Sequence, residues 1–255
     1  MLEWFNAMTK YEMLTLILSI VVFAKPLFIW IYKKAFFRLK YFHNNQIKLF
    51  FNNFGSYIQV YGACKAELGN VIVNKIEVNI KREKDGKEHN LTWCSFVSPI
   101  IQNLGSNFAF TNEMAHPFQI GEDFMCPVFV EFEVTNRLSA TNINMAMQPL
   151  FDYIENVELP TGKLLKNFID AYTNTVEYAD AKKVIEEEFF WNAGDYALTM
   201  TITYCERKTV VFKKNFTLTA EQSIKLKNNI NEILLMPIKI KSGIRSDFCV
   251  HDILK

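Results

Sequence analysis

From Met13 to Ala24 the chain runs apolar through MLTLILSIVVFA, and after Lys25 and Pro26 it resumes as LFIWIY to Tyr32. About twenty residues at a helical rise of ~1.5 Å cover ~30 Å, the hydrocarbon thickness of a bilayer. This run constrains the fold more than any other, because it must either span a membrane or be enclosed by protein.

Three readings compete for it. A secretory signal peptide needs a basic n-region, but Glu3, Lys10 and Glu12 supply none, and Val22-Phe23-Ala24 is only a passable cleavage site. A core helix of a soluble protein fits the first half alone. A single transmembrane anchor explains both halves, with Leu14, Leu16, Ile17 and Trp30 as its lipid-facing body. Lys25 and Pro26 are then its costly positions: a buried cation is expensive and a proline removes a helix hydrogen bond.

The flanks give direction. Lys33, Lys34, Arg38 and Lys40 follow the span and only Lys10 precedes it, so the positive-inside rule places the body in the cytoplasm as a single-pass protein. Between Lys33 and Phe54, bases alternate with aromatics. That pattern serves stacking on single strands, but directly after a span it better fits an interfacial belt meeting membrane lipid, and no nucleic acid is expected. The domain division is therefore an anchor and juxtamembrane segment, 1–54, and a body, 55–255.

That body should fold: half the residues are hydrophobic, 22% are charged, and a net charge of +1 gives no overall case for a polyanionic partner. The five cysteines are odd in number and unpaired in spacing, which favours reduced thiols. Strand alternation is clear in Val128, Val130, Phe132 and Val134, with Glu131 and Glu133 on a wet opposite face. It recurs from Tyr196 to Tyr204 and, after a polar turn, at Val210, Phe212, Phe216 and Leu218. Asp85-Gly86 predicts a tight hairpin setting Ile80 opposite Leu91 and Val78 opposite Trp93. Helical stripes appear at Leu164 to Tyr172, after a Thr161 cap, and at Ile224 to Leu234, opened by the capping box Thr219-x-x-Gln222 and stopped by Pro237. Glu186-Glu187-Glu188 fits a helix or a strand.

At Trp191-Asn192-Ala193-Gly194-Asp195-Tyr196 the chain resembles the corner entering one strand of an immunoglobulin-like sandwich, where a tyrosine hydroxyl ties back to the backbone. Leu198 stands where those domains place a disulfide cysteine; Trp93 is the candidate core tryptophan. The expected fold is mainly β with accessory helices, an immunoglobulin-like antiparallel sandwich behind one transmembrane helix.

Catalytic signatures are missing. No two of His43, His89, His116 and His251 suggest a shared metal, Cys249-Val250-His251-Asp252 lies too close in sequence for triad geometry, and no GxGxxG, P-loop or GxSxG occurs. No cofactor is expected. The segment 100–116, read as a long apolar loop, supplies the candidate partner surface at Phe108, Phe110 and His116. These readings converge on a membrane-anchored, non-enzymatic binding or scaffold module for another protein or a small ligand. Two alternatives stand beside it: a ligand-sensing effector whose helices self-associate and perturb the membrane, and an enzyme with a site assembled from distant residues.

Overall fold

The computed structural model describes residues 9–104 and 107–253, leaving aside the side chains of Lys34, 98–112, Asn136 and Lys163. Helix α1, Lys10–Phe36, opens with a capping box: the Thr9 hydroxyl accepts from the Glu12 amide, and the Glu12 carboxylate accepts from the Thr9 amide at 2.7 Å. Thr15 and Ser19, polar residues in an apolar helix, bond back to the carbonyls of Tyr11 and Thr15, each at 2.8 Å. The helix continues through Pro26. It is long and apolar enough to cross a membrane, and none of its apolar window is buried in protein. That exposure counts against a core helix packed within this chain.

Only Phe37 separates α1 from strand β1, Arg38–Asn52. The segment expected to lie at the lipid interface is thus largely strand, with Leu39, Ile47, Leu49 and Phe51 fully buried. Nine further strands complete the sheet: β2, Gly55–Glu67; β3, Val71–Arg82; β4, Glu88–Leu104; β5, Asn107–Met114; β6, Phe118–Ile120; β7, Met125–Val134; β8, Gly194–Tyr204; β9, Lys208–Leu218; β10, His251–Ile253. Among the described residues every strand-to-strand ladder is antiparallel, in the order β10-β1-β2-β7-β4-β3-β8-β9, with β5 on β4 and β6 on β3. The fold is mainly β, but its strands form one curled sheet, a half-barrel, and the two stacked sheets of an immunoglobulin-like sandwich are not confirmed.

The hollow of the sheet is filled by helices: α2, Leu138–Glu155; α3, Lys163–Tyr172; α4, Val176–Glu188; α5, Ala220–Lys227; α6, Asn229–Leu234; α7, Met236–Lys241. Ile143, Met147 and Leu150 of α2, Ile185 of α4 and Ile233 of α6 join Ile58, Val60, Val130, Phe132 and Met200 in one apolar core. The alternation read in β7 and β8 is what points those strands inward: Val128, Val130 and Phe132 are buried, as are all five residues from Tyr196 to Tyr204 at period two.

Local expectations fared unevenly. The Thr219–Gln222 capping box forms, but the stripe behind it breaks into two short helices, and Pro237 sits in the first turn of a third, α7, instead of ending a helix. Gly162, not Thr161, caps α3. Glu186 to Glu188 are helical. In the β3–β4 hairpin Val78 faces Leu91 and Ile80 faces His89, a shift of two positions, because the turn is wider than two residues. Gly86, at φ 68°, donates to the Arg82 carbonyl at 3.0 Å, and Arg82 pairs with Asp85, closing a longer loop. An even shift preserves which face each side chain takes. Segment 100–116 is no open loop: β4 runs to Leu104, and β5 returns with Ile101 opposite Phe110.

The immunoglobulin-like corner has one element in place. The Tyr196 hydroxyl donates to the carbonyls of Asn192, at 2.5 Å, and Phe190, at 3.1 Å.

Candidate functional site

Alternation gives the sheet a second face, turned away from the helices. On β1 it carries Lys48, Phe50 and Asn52, between the buried Ile47, Leu49 and Phe51. On β2 it carries Tyr57, Gln59 and Tyr61, and on β7 Glu131 and Glu133. Here the sheet floors a cleft of about 780 Å³. One wall comes from Val97 and Met114 of the β4–β5 hairpin, and the opposite wall from Arg245 and Val250 in the segment leading to β10. Its size suits a small-molecule site, which is typically several hundred Å³.

Gln59 organises the floor. Its amide donates to the Glu131 carboxylate at 2.6 Å and accepts from the Tyr61 hydroxyl at 2.8 Å. The other Glu131 oxygen faces the Ser95 hydroxyl at 3.5 Å, and the Cys94 thiol donates to the Glu131 carbonyl at 3.3 Å. A bulge at Cys94, between Trp93 and Ser95, brings both side chains to this position. Burial raises the Glu131 carboxyl above the ordinary glutamate value, opposed by the Gln59 and Ser95 hydrogen bonds. Burial also pushes the Cys94 thiol up to about 12 and Tyr61 to about 12, so neither ionises near neutrality.

Aromatic packing sets the remaining floor. Phe50 and Tyr57, cross-strand partners, stack in parallel at 4.7 Å, and Asn52 donates to the Tyr57 hydroxyl at 3.0 Å. Lys48 lies 5.4 Å above the Tyr61 ring. At the far edge Arg137 donates through Nε to Glu133 at 2.8 Å. Arg137 holds a left-handed backbone, φ 53°, uncommon for a side chain with a Cβ, in the short turn Thr135–Arg137 that ends β7. Among the described residues that line the cleft there is no histidine. Nor do three of His, Cys, Asp and Glu gather anywhere among the described residues in a way that would hold a metal.

The residues singled out from sequence lie elsewhere. Leu14, Ile17 and Trp30 are each more than half exposed along α1, Leu16 is half-buried, and Lys25 and Pro26 are exposed. The bases past the helix are engaged by the body: Lys33 with Glu122 at 2.6 Å, Arg38 and Lys40 both with Glu67 at 2.7 Å. The Lys34 side chain, and those of Phe108 and Phe110, lie outside the described residues. His116 is exposed beyond β5, with Nδ1 2.9 Å from the Met114 carbonyl, and does not line the cleft.

What sequence reading missed is the cleft itself. Glu131 lies on the outward strand face that alternation predicts, where the curl of the sheet and the flanking walls half-bury it. The available signal was the alternation Tyr57-x-Gln59-x-Tyr61 with Ile58 and Val60 between, a strand whose outward residues are aromatic and amide.

No protein-family model matches the chain, and no curated protein does. Among solved structures, the sporulation control protein Spo0M from Bacillus subtilis aligns with a TM-score of 0.28 and 8% identity, over 77% of this chain and 54% of that one. A family 123 glycoside hydrolase from Clostridium perfringens aligns at 0.31 and 8%, over 72% of this chain and 27% of that one. The chain spans about half or less of each. Likenesses this faint carry no functional argument.

Proposed function

We propose that this chain is a membrane-anchored, non-enzymatic binding module. Helix α1 holds it in the bilayer, and the body, on the cytoplasmic side, takes a small ligand in the cleft over Tyr57, Gln59, Tyr61 and Glu131. The carrying observation is the convergence of aromatic faces and fixed polar groups on one concave part of an otherwise ordinary sheet face. The excess of bases after the span supports the orientation. Binding is favoured over catalysis because burial pushes the one thiol in the cleft up to about 12 and no histidine is among the described residues that line it.

The test uses the full chain in nanodiscs, exposed to fractionated small-molecule extracts of cells. A fraction should raise the melting temperature of the wild type and leave a Gln59→Leu, Tyr61→Ala variant unmoved, and mass spectrometry should identify the retained molecule. If no fraction separates the two proteins, the reading fails.

A second reading, the ligand-sensing membrane effector, has its own support: one residue joins α1 to the sheet, and the Lys33–Glu122 pair braces that joint. In that case α1 self-associates and Lys25 acts at depth. Replacing Lys25→Leu should abolish ligand-dependent dye leakage from vesicles; no leakage in the wild type, or leakage unchanged in the variant, removes this reading.

A further inference from the structure

We infer that the cleft takes a water-soluble organic anion that carries a flat ring. This rests on the reading of the cleft as a ligand site and names the chemistry of its occupant.

Each carboxylate of the cleft already has a donor within the protein, while its cations have donors to spare. Both Glu131 oxygens have donors within the protein, the Gln59 amide is held on both sides, and Glu133 is bound by Arg137. Arg137 commits only its Nε to that pair, leaving two terminal nitrogens without partners among the described residues. Arg245 is exposed and has no ion pair or hydrogen bond among the described residues. Lys48 reaches Asp252 only at 4.0 Å. Three cations on the rim of one cleft, with guanidinium forks to spare, fit an anionic group with several acceptor oxygens. What remains between them is ring and aliphatic surface: Phe50, Tyr57, Tyr61, Val97, Met114 and Val250. A neutral polyol would leave the cations unused, and a bare inorganic anion would leave the rings uncovered.

Lys48 and Phe50 lie ten and twelve residues along β1 from Arg38, where the strand leaves the helix, roughly 33–40 Å of strand contour at ~3.3 Å per residue. That contour favours an occupant from solution over a headgroup of the bilayer proposed to hold α1.

The experiment is calorimetric titration of the full chain in nanodiscs of zwitterionic lipid. The probes are adenosine monophosphate and indole-3-acetate, flat rings with an anionic group; adenosine and indole-3-ethanol, the same rings uncharged; inorganic phosphate; and maltose. At least one of the two ring anions should bind saturably, with its uncharged counterpart and phosphate each weaker by about tenfold or more. Arg245→Ala should weaken the anion by about tenfold, the value of one charge-assisted hydrogen bond, and Arg245→Lys by less. Because Arg245 is exposed, the variant should melt as the wild type does, and Arg137→Ala provides an independent second variant. Binding of adenosine, indole-3-ethanol or maltose as tight as the ring anions would overturn the inference while upholding the cleft as a ligand site. Binding of neither ring anion, or binding indifferent to Arg245→Ala and Arg137→Ala, overturns it too.

Discussion

His43 lies flat against Phe212, ring centroids 4.6 Å apart, across the seam where β1 comes closest to β9 without pairing with it. Because β10 covers only Ile47 to Leu49, the first half of β1 is itself a sheet edge. Tyr41 against Phe212 at 5.4 Å, and Lys208 over the Phe37 ring at 3.5 Å, close the same gap with side chains where a full barrel would use backbone hydrogen bonds.

That seam should make the protein acid-sensitive. Burial, with help from Lys214, lowers the His43 pKa below its ordinary 6.5 against the raising effect of Asn45, and Nε2 is buried without a partner among the described residues. A depressed histidine favours the neutral form in the folded state, so its contribution is present above about pH 6.5 and lost as pH falls through the lower folded value. His43→Phe should flatten the decline of melting temperature below pH 6.5. Only part of the slope should go, since His89 and His251 are lowered too, chiefly by burial. Parallel curves for the two proteins would refute the role assigned to the seam.

Gly62→Ala should be costly despite being a one-carbon change. A Cβ there would lie 2.5–2.6 Å from ring atoms of Tyr41, whose hydroxyl reaches the Tyr61 carbonyl at 3.4 Å. The expected loss is about 1–3 kcal/mol in urea denaturation, the usual range for overpacking. Tyr41→Leu combined with Gly62→Ala should cost less than the sum of the single changes, and additivity would show that the clash is relieved some other way.

Tyr196→Phe should destabilise by roughly 1–3 kcal/mol, because the side chain is 1% exposed and its hydroxyl serves the carbonyls of Asn192 and Phe190. A Phe variant equal to the wild type would mean the corner contributes packing alone.

Glu131→Gln should help at neutral pH. Burial raises the folded carboxyl above its unfolded value, so the favourable state is the protonated one, fully present below the unfolded pKa of 4.5 and lost as pH rises through the folded value. The Gln variant keeps an acceptor for Gln59 and cannot ionise. Its melting temperature relative to wild type should therefore rise between pH 4 and pH 7; a flat difference would contradict the burial argument.

The parts that could be read from sequence share one property: they are local. The alternation from Val128 to Phe132 and from Tyr196 to Tyr204, the Thr219–Gln222 box and the Tyr196 corner each depend on residues within one element or turn. The curl of the sheet depends on partners distant in sequence. Gln59 meets Glu131 across 72 positions, and the bases and rings of β1 match a lipid belt as well as a strand. The cleft was hidden for the same reason: its walls come from a hairpin near Val97 and a segment near Arg245 that only the fold brings together.

The single residue Phe37 between α1 and β1 leaves the body no slack. A domain on a flexible tether turns independently of its helix; here Phe37 is the whole linker, and Lys33 pairs with Glu122 across the joint. In the membrane-anchored reading proposed above, a tilt imposed on the helix by bilayer thickness would carry the cleft with it through an arc.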